Sequence, residues 1–217
     1  MSKPARAVLW DLDGTLIDSE PLHRRAILQT LAGLGAKVES LDPREFVGRG
    51  ERDFWMYSKE TFQLKNGVEE LVDLKDSVYA EIVVSELQLM PGALASLEWM
   101  QRDGLPMAIA SGSSPRAIAA ATAASGLQHY FKELVSSLDP SVRRSKPHPD
   151  VFLEAARRMG VAPQNCIVIE DAQWGVRAAV AAGMRVIAVP NNWTRDHDFD
   201  GAERMLTSLS ELQPLHL

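Results

Sequence analysis

Two hydrophobic periods alternate along this chain. Short, largely apolar runs occur over about residues 5 to 10, where Ala7-Val8-Leu9-Trp10 is unbroken, and over 106 to 110, 134 to 136, 166 to 169 and 185 to 189. Runs of that length, bounded by turn residues, read as strands buried on both faces, although residues 134 to 136 give a weaker signal. Elsewhere the apolar residues recur at helical spacing. Pro21 suits a first helical turn, and Leu22, Ala26, Ile27, Leu31 and Leu34 follow it up to Gly33 and Gly35. A short helix is expected from near Asp42-Pro43, a loop over Gly48-Arg49-Gly50-Glu51, then helices over about 53 to 64 and 68 to 87. Further helices are expected over about 93 to 102, 115 to 126, 151 to 159 and 175 to 182, with a last short one near 206 to 212. Strands alternating with helices imply an α/β fold, a parallel sheet covered by helices on both faces. Residues 18 to 87 read as an all-helical insert within it.

Composition narrows the function classes. The 217 residues suffice for one core plus a small second unit, and 46% hydrophobic with 24% charged content is ordinary for a globular protein. A net charge of −6 without a basic run argues against nucleic acid or an anionic membrane as partner. A small anionic substrate stays open, because a cation in a cleft reverses the local field. Cys166 is the single cysteine, so no internal disulfide forms, and its place in an apolar run marks it as a small buried residue. No long apolar stretch follows Met1-Ser2-Lys3-Pro4, so neither a signal peptide nor a membrane span is expected, and the cytoplasm is the expected location.

Polar residues that directly follow the apolar runs carry the candidate chemistry. Asp11-Leu12-Asp13-Gly14-Thr15 closes the first run. Acids two positions apart on an extended chain share one side, where one carboxylate can attack and the other exchange protons. Their mutual repulsion favours a bound cation. A plain Asp-Gly turn is the alternative for this stretch alone. Ser111-Gly112 closes the second run, ahead of a helix opened by Pro115 whose N-terminal N–H groups suit a phosphate; Ser113 or Ser114 is expected to cap that helix. Glu170-Asp171 closes the fourth run, and adjacent buried acids call for a cation, Mg²⁺ being the fitting one. Lys146, flanked by Pro147 and Pro149, is a restricted ammonium that can neutralise a phosphate. Asp150 is expected to cap the next helix, His148 to be structural or exposed, and Trp174 to be a core tryptophan. Ligands of open parallel sheets bind at the carboxyl ends of strands, so Asp11, Ser111, Glu170 and Asp171 are expected along one edge.

The stretch from Trp10 to Glu20 resembles the first motif of the haloacid dehalogenase-like phosphotransferases. Ser111 matches the family's second motif, Lys146-Pro147 the third and Glu170-Asp171 the fourth, in order and across nearly the whole chain. The resemblance implies a Rossmann-like α/β core over 1–17 and 88–217 and a helical cap over 18–87, as in the subgroup of β-phosphoglucomutase and many sugar-phosphate phosphatases. It implies Asp11 as nucleophile and Asp13 as acid and base, with an aspartyl phosphate between two half-reactions. Mg²⁺ would rest on Asp11, the Asp13 carbonyl and Asp171, with Glu170 close by, while Ser111, Gly112 and Lys146 hold the phosphoryl oxygens. His23, Arg49, Glu51, Arg52 and Ser113 are the candidates for contact with the rest of the substrate. Ala172 departs from the pattern, since many relatives carry serine there.

The expectation is a Mg²⁺-dependent phosphatase of small phosphorylated metabolites, sugar or polyol phosphates above all. A phosphomutase of the β-phosphoglucomutase kind is the alternative, and Glu51, standing about where that enzyme has an arginine, speaks against it. A dehalogenase lacks the second acid. A phosphonatase needs a reactive cap lysine, whereas Lys59, Lys65 and Lys75 read as surface charges. A non-catalytic binding protein on the same scaffold stays open, although no essential acid is missing.

Overall fold

The computed structural model describes residues 6–38, 47 and 50–212. The strands are β1 (Ala7–Trp10), β2 (Met107–Ser111), β3 (Glu133–Ser136), β4 (Cys166–Glu170), β5 (Arg185–Ala188) and β6 (Arg204–Met205). They form one six-stranded sheet in the order β3-β2-β1-β4-β5-β6, and every pairing is parallel. The chain therefore steps outward from the central β1 in one direction, then returns and steps outward in the other. That reversal places the carboxyl ends of β1, β2 and β4 side by side, where such sheets bind ligands.

The apolar runs hide an alternation that becomes visible in the packing. Val8, Trp10, Met107, Ile109, Ile167, Ile169 and Ile187 point to one face of the sheet. Leu9, Ala108, Ala110, Cys166, Val168, Val186 and Ala188 point to the other. The first face is covered by α4 (Ala93–Arg102) and α5 (Pro115–Ala124), the second by α6 (Asp150–Met159) and α7 (Gln173–Ala181). Ala7, Ala108, Ala110, Cys166 and Ala188 line the second face, and Ala155 and Ala156 of α6 and Ala178 and Ala179 of α7 belong to the same buried cluster.

Between β1 and β2 stand α1 (Glu20–Gly33), α2 (Glu51–Thr61) and α3 (Val68–Glu86). Leu31, Phe54, Trp55, Leu71 and Val72 form a cluster of their own among these helices. Leu22, Ala26, Tyr79, Ile82 and Val83, at the other ends of α1 and α3, join the cluster of the sheet. The two connections to the sheet run side by side: Ile17 bridges Leu89, the Asp18 N–H donates to the Gln88 carbonyl at 2.9 Å and Met90 N–H to the Leu16 carbonyl at 2.9 Å.

Several expectations are corrected. The helix after the Gly48–Glu51 loop begins at Glu51 itself, because Gly50 is extended and acts as its N-cap. The short helix expected near Asp42-Pro43 lies outside the described residues. Residues 206 to 212 contain only a 3-10 turn, Leu209–Glu211, and Arg204–Met205 adds an edge strand that no apolar run announced. Asp150 is the first residue of α6 rather than its cap, and accepts from Arg144 instead. Trp174 is half-buried with the Arg177 guanidinium 5.2 Å from its ring centre, not a core tryptophan. Lys75 is not a surface charge; it is 2% exposed.

Candidate active site

Asp11 leaves β1 with its N–H donating to the Ile169 carbonyl at 3.0 Å, which locks the ends of β1 and β4 together. Its Oδ1 accepts from Lys146 Nζ at 2.5 Å, and the same ammonium reaches Glu170 Oε1 at 2.7 Å. Lys146 is 1% exposed. Burial acts to lower its pKa, but Asp11 and Glu170 outweigh burial and hold it above the ordinary lysine range. The second Glu170 oxygen accepts from the Ala172 N–H at 2.7 Å. Glu170 therefore serves as a buried anchor for Lys146 in this arrangement. Gly175 makes room for it, since a Cβ there would overlap Glu170 Oε1.

Asp13 accepts four side-chain hydrogen bonds. Ser19 Oγ (2.6 Å) and His23 Nε2 (2.9 Å) reach Oδ1; Ser111 Oγ (3.2 Å) and Ser113 Oγ (2.7 Å) reach Oδ2. Burial alone would raise this carboxyl, yet His23 and the hydroxyls of Ser19 and Ser113 prevail and hold it below the ordinary aspartate range. Asp13 is thus ionised, and His23 donates through Nε2. The His23 ring is stacked on Tyr79 at 4.1 Å with 9° between planes, so α3 fixes the ring that α1 delivers.

Asp171 lies 1% exposed at the end of β4. Burial, then the charges of Glu170 and Asp11, push its pKa well up; on Asp11 burial likewise acts foremost and upward, opposed by Lys146 and reinforced by Glu170 and Asp13. Its oxygens accept from Thr15 Oγ1 (3.3 Å), Asn191 Nδ2 (2.8 Å) and Thr194 Oγ1 (3.4 Å). These donors are neutral. Lys146 is the one cation hydrogen-bonded to Asp11, Glu170 or Asp171 among the described residues. Three buried acids against one ammonium leave a deficit of positive charge that a divalent cation fits. No three acidic, histidine or cysteine side chains converge as a complete cage among the described residues. A hard cation here would rest on Asp11, Asp171, main-chain oxygen, and oxygens from water or substrate, which is the sparse set Mg²⁺ accepts.

Ser111 Oγ also accepts from the Ser113 N–H at 2.9 Å, tightening the turn before α5. Ser114, not Ser113, caps α5, with its Oγ accepting from Ala117 N–H at 3.0 Å. Ser113 is thereby free to face Asp13. Glu51 sits beside this turn: its N–H donates to the Gly112 carbonyl at 3.1 Å and its Oε2 accepts from the Ser114 N–H at 3.1 Å. Its Oε1 pairs with Lys75 Nζ at 2.6 Å, and Lys75 also reaches Asp76 Oδ1 at 3.0 Å. Asp76 in turn accepts from the Ser114 hydroxyl. Arg52 instead points outward, half exposed, to Glu69 at 3.4 Å, and Arg49 lies outside the described residues.

The structure thus brings together Asp11, Asp13, Ser111, Gly112, Ser113, Lys146, Glu170, Asp171 and His23, with Glu51 alongside. Sequence reasoning missed Thr15, Ser19, Glu20, Tyr79, Asn191 and Thr194. Thr15 and Ser19 stood inside the first motif and were findable there. Glu20 is half-buried, and its carboxyl is pushed up to about 7 by burial, with His23 opposing and Asp13 and Asp18 adding. Tyr79, Asn191 and Thr194 come from distant segments and carried no local signal.

Comparison with known proteins gives the family. The chain is 32% identical over 185 residues to the fructose-1-phosphate phosphatase YqaB of Escherichia coli K12, covering 84% of this chain and 95% of that protein. It is 33% identical over 221 residues to hexitol phosphatase B of the same organism, covering 98% and 97%. The crystal structure of CbbY from Rhodobacter sphaeroides in complex with phosphate superposes with a TM-score of 0.86 at 29% identity, covering 96% of each chain. The model of the family described as haloacid dehalogenase-like hydrolase matches residues 5–183. The chain belongs to the haloacid dehalogenase-like hydrolases.

Proposed function

We propose that this protein is a Mg²⁺-dependent phosphatase of sugar or polyol monophosphates that works through a phosphorylated Asp11. The observation that carries this reading is the pairing of Asp11, held against buried Lys146, with Asp13 two residues on, which accepts from Ser19, His23, Ser111 and Ser113. The relatives named for fructose 1-phosphate and hexitol substrates support the substrate class.

An Asp11 oxygen attacks phosphorus and the bond to the ester oxygen breaks. The leaving oxygen takes a proton from Asp13, which must first be loaded with one; His23 at 2.9 Å is placed to hand it over. Water then attacks the phosphorus of phospho-Asp11, Asp13 takes the water proton, and inorganic phosphate departs with Asp11 restored. The donors now on Asp13, the hydroxyls of Ser111 and Ser113, stand where they can turn to phosphoryl oxygens. Lys146, 2.5 Å from Asp11 Oδ1, opposes the effect of burial on that carboxyl and neutralises charge on the transferring group. Asp11, the Asp13 carbonyl and Asp171 would hold Mg²⁺, which would supply further positive charge at the transferring group. The insert of α1 to α3 acts as the cap that excludes bulk water, swinging on the paired connections at Ile17 and Leu89. Glu51 is held by Lys75 and Ser114, so it offers no cationic partner for a second phosphate, which favours water over a sugar hydroxyl as acceptor.

Phosphate release with Mg²⁺ is to be measured over sugar, polyol and nucleoside monophosphates, with EDTA and Asp11→Asn controls. One substrate turned over far above the rest, lost with either control, is the expected result. β-Glucose 1-phosphate with a bisphosphate primer, giving glucose 6-phosphate and little phosphate, would reverse the assignment to a mutase. No turnover of any phosphomonoester by folded, Mg²⁺-loaded protein sinks the enzymatic reading.

A further inference from the structure

Asn191 lies in the loop after β5, outside every motif singled out in the sequence. Its amide nitrogen donates to Asp171 Oδ2 at 2.8 Å and to the Gly14 carbonyl at 3.0 Å. Its amide oxygen accepts from the Trp193 N–H at 2.7 Å, which settles which end of the amide faces Asp171. Its own N–H donates to Thr194 Oγ1 at 3.1 Å, and its carbonyl accepts from Thr194 and Arg195 N–H groups. The side chain thus has one orientation, fixed by its own loop. Gly14, at φ +82°, permits the contact: a Cβ there would come within 2.7 Å of both Asn191 Nδ2 and Asp171 Oδ2.

We propose that Asn191 is a positioning residue for Asp171, holding one carboxylate oxygen so that the other is presented to the cation. The inference rests on the reading of Asp171 as a metal ligand given above. It explains the residue type. Asp171 is buried beside Asp11 and Glu170, and without an oriented donor it would turn away from its like-charged neighbours. A lysine or arginine in this place would neutralise the carboxylate and compete with the metal; an aspartate would add a fourth acid. An amide brings two donors and no charge. By donating also to Gly14, it ties the first-motif loop to the end of β4, so both suppliers of metal-binding oxygen keep their separation. Thr194 Oγ1, at 3.4 Å from the same oxygen, is a weaker second support.

The test reads metal affinity directly. Mn²⁺ binding by paramagnetic resonance and Mg²⁺ binding by calorimetry are measured on wild type, Asp171→Asn, Asn191→Ala and Thr194→Val. Asn191→Ala should weaken both metals by about 10- to 100-fold and Thr194→Val by a few fold. At saturating Mg²⁺ the KM for substrate of Asn191→Ala should stay near wild type, with kcat largely regained. Folded Asn191→Ala that binds Mn²⁺ like wild type overturns the inference, as does a loss seen only in KM for substrate. If Asn191→Ala does not fold, unchanged Mn²⁺ affinity in Thr194→Val overturns it instead. Metal binding retained in Asp171→Asn overturns the metal reading itself; retention in Asn191→Ala alone leaves that reading standing.

Discussion

Glycines test how tightly single residues are fitted around the site. Gly175 faces Glu170 Oε1, which a Cβ would overlap, and the carboxylate cannot retreat without releasing Lys146. Gly175→Ala should cost about 2–3 kcal/mol by forcing apart a packed and charged contact. Gly33, in the last turn of α1, has open space where a side-chain methyl would stand, with nothing within 4 Å. Gly33→Ala should stabilise the protein by up to about 0.5–1 kcal/mol, since alanine restricts the unfolded chain without strain. Urea denaturation midpoints of the two variants decide both claims, and equal shifts would show that Glu170 is not held where the structure puts it.

At the scale of elements, the contact between α3 and α5 depends on a lysine buried between two acids. Lys75 satisfies Glu51 of α2 and Asp76 of α3, and both acids bond Ser114 at the head of α5. Lys75→Met removes the cation and leaves two buried carboxylates, which should cost about 3–5 kcal/mol and loosen the insert from the sheet. Denaturation and hydrogen exchange across α3 would show it; exchange unchanged there would refute the role. In α6, Glu154 bonds Arg157 at 2.7 and 2.8 Å and Arg158 at 2.7 Å, and those arginines hold its carboxyl down to about 2. A depressed folded-state pKa adds stability above the unfolded value near 4.5 and loses it as pH falls toward 2. Glu154→Gln should therefore melt below wild type at pH 7 and converge with it between about pH 4.5 and 2. The gain is modest because Arg157 is largely exposed. Elements were legible in the sequence where burial leaves a pattern within the segment itself. The sheet strands announced themselves as apolar runs, and Asp11, Ser111, Glu170 and Asp171 followed them directly. Lys75 looked like any helical lysine, because the two acids and the serine that bury it lie on other segments or share no apolar period with it. Arg204–Met205 carries no burial signal; it is exposed and pairs along the edge of β5.

Over the whole molecule, stability and chemistry make opposing demands on one edge of the sheet. The fold is kept by two apolar layers on either side of β1 and β4. The carboxyl ends of these strands gather Asp11, Glu170 and Asp171 in buried positions, with Lys146 bonded between Asp11 and Glu170. Burial and like charge raise Asp171 well above an ordinary aspartate, so the ionised form works against the metal-free fold. Asp171→Asn removes that charge while keeping the shape, and should raise the melting point of the metal-free protein, by an amount equivalent to about 1–2 kcal/mol. Mg²⁺ should do for wild type what the substitution does for the variant. At a concentration about 100 times its dissociation constant it should add about 2.7 kcal/mol to wild type and next to nothing to Asp171→Asn. The two proteins should therefore exchange rank: the variant melts higher in EDTA, wild type higher in Mg²⁺, with sodium chloride of equal ionic strength as control. Equal response of both proteins to Mg²⁺ would mean that the cation acts elsewhere, and a variant less stable in EDTA would mean that the neutral donors of Thr15, Asn191 and Thr194 already make the Asp171 charge favourable.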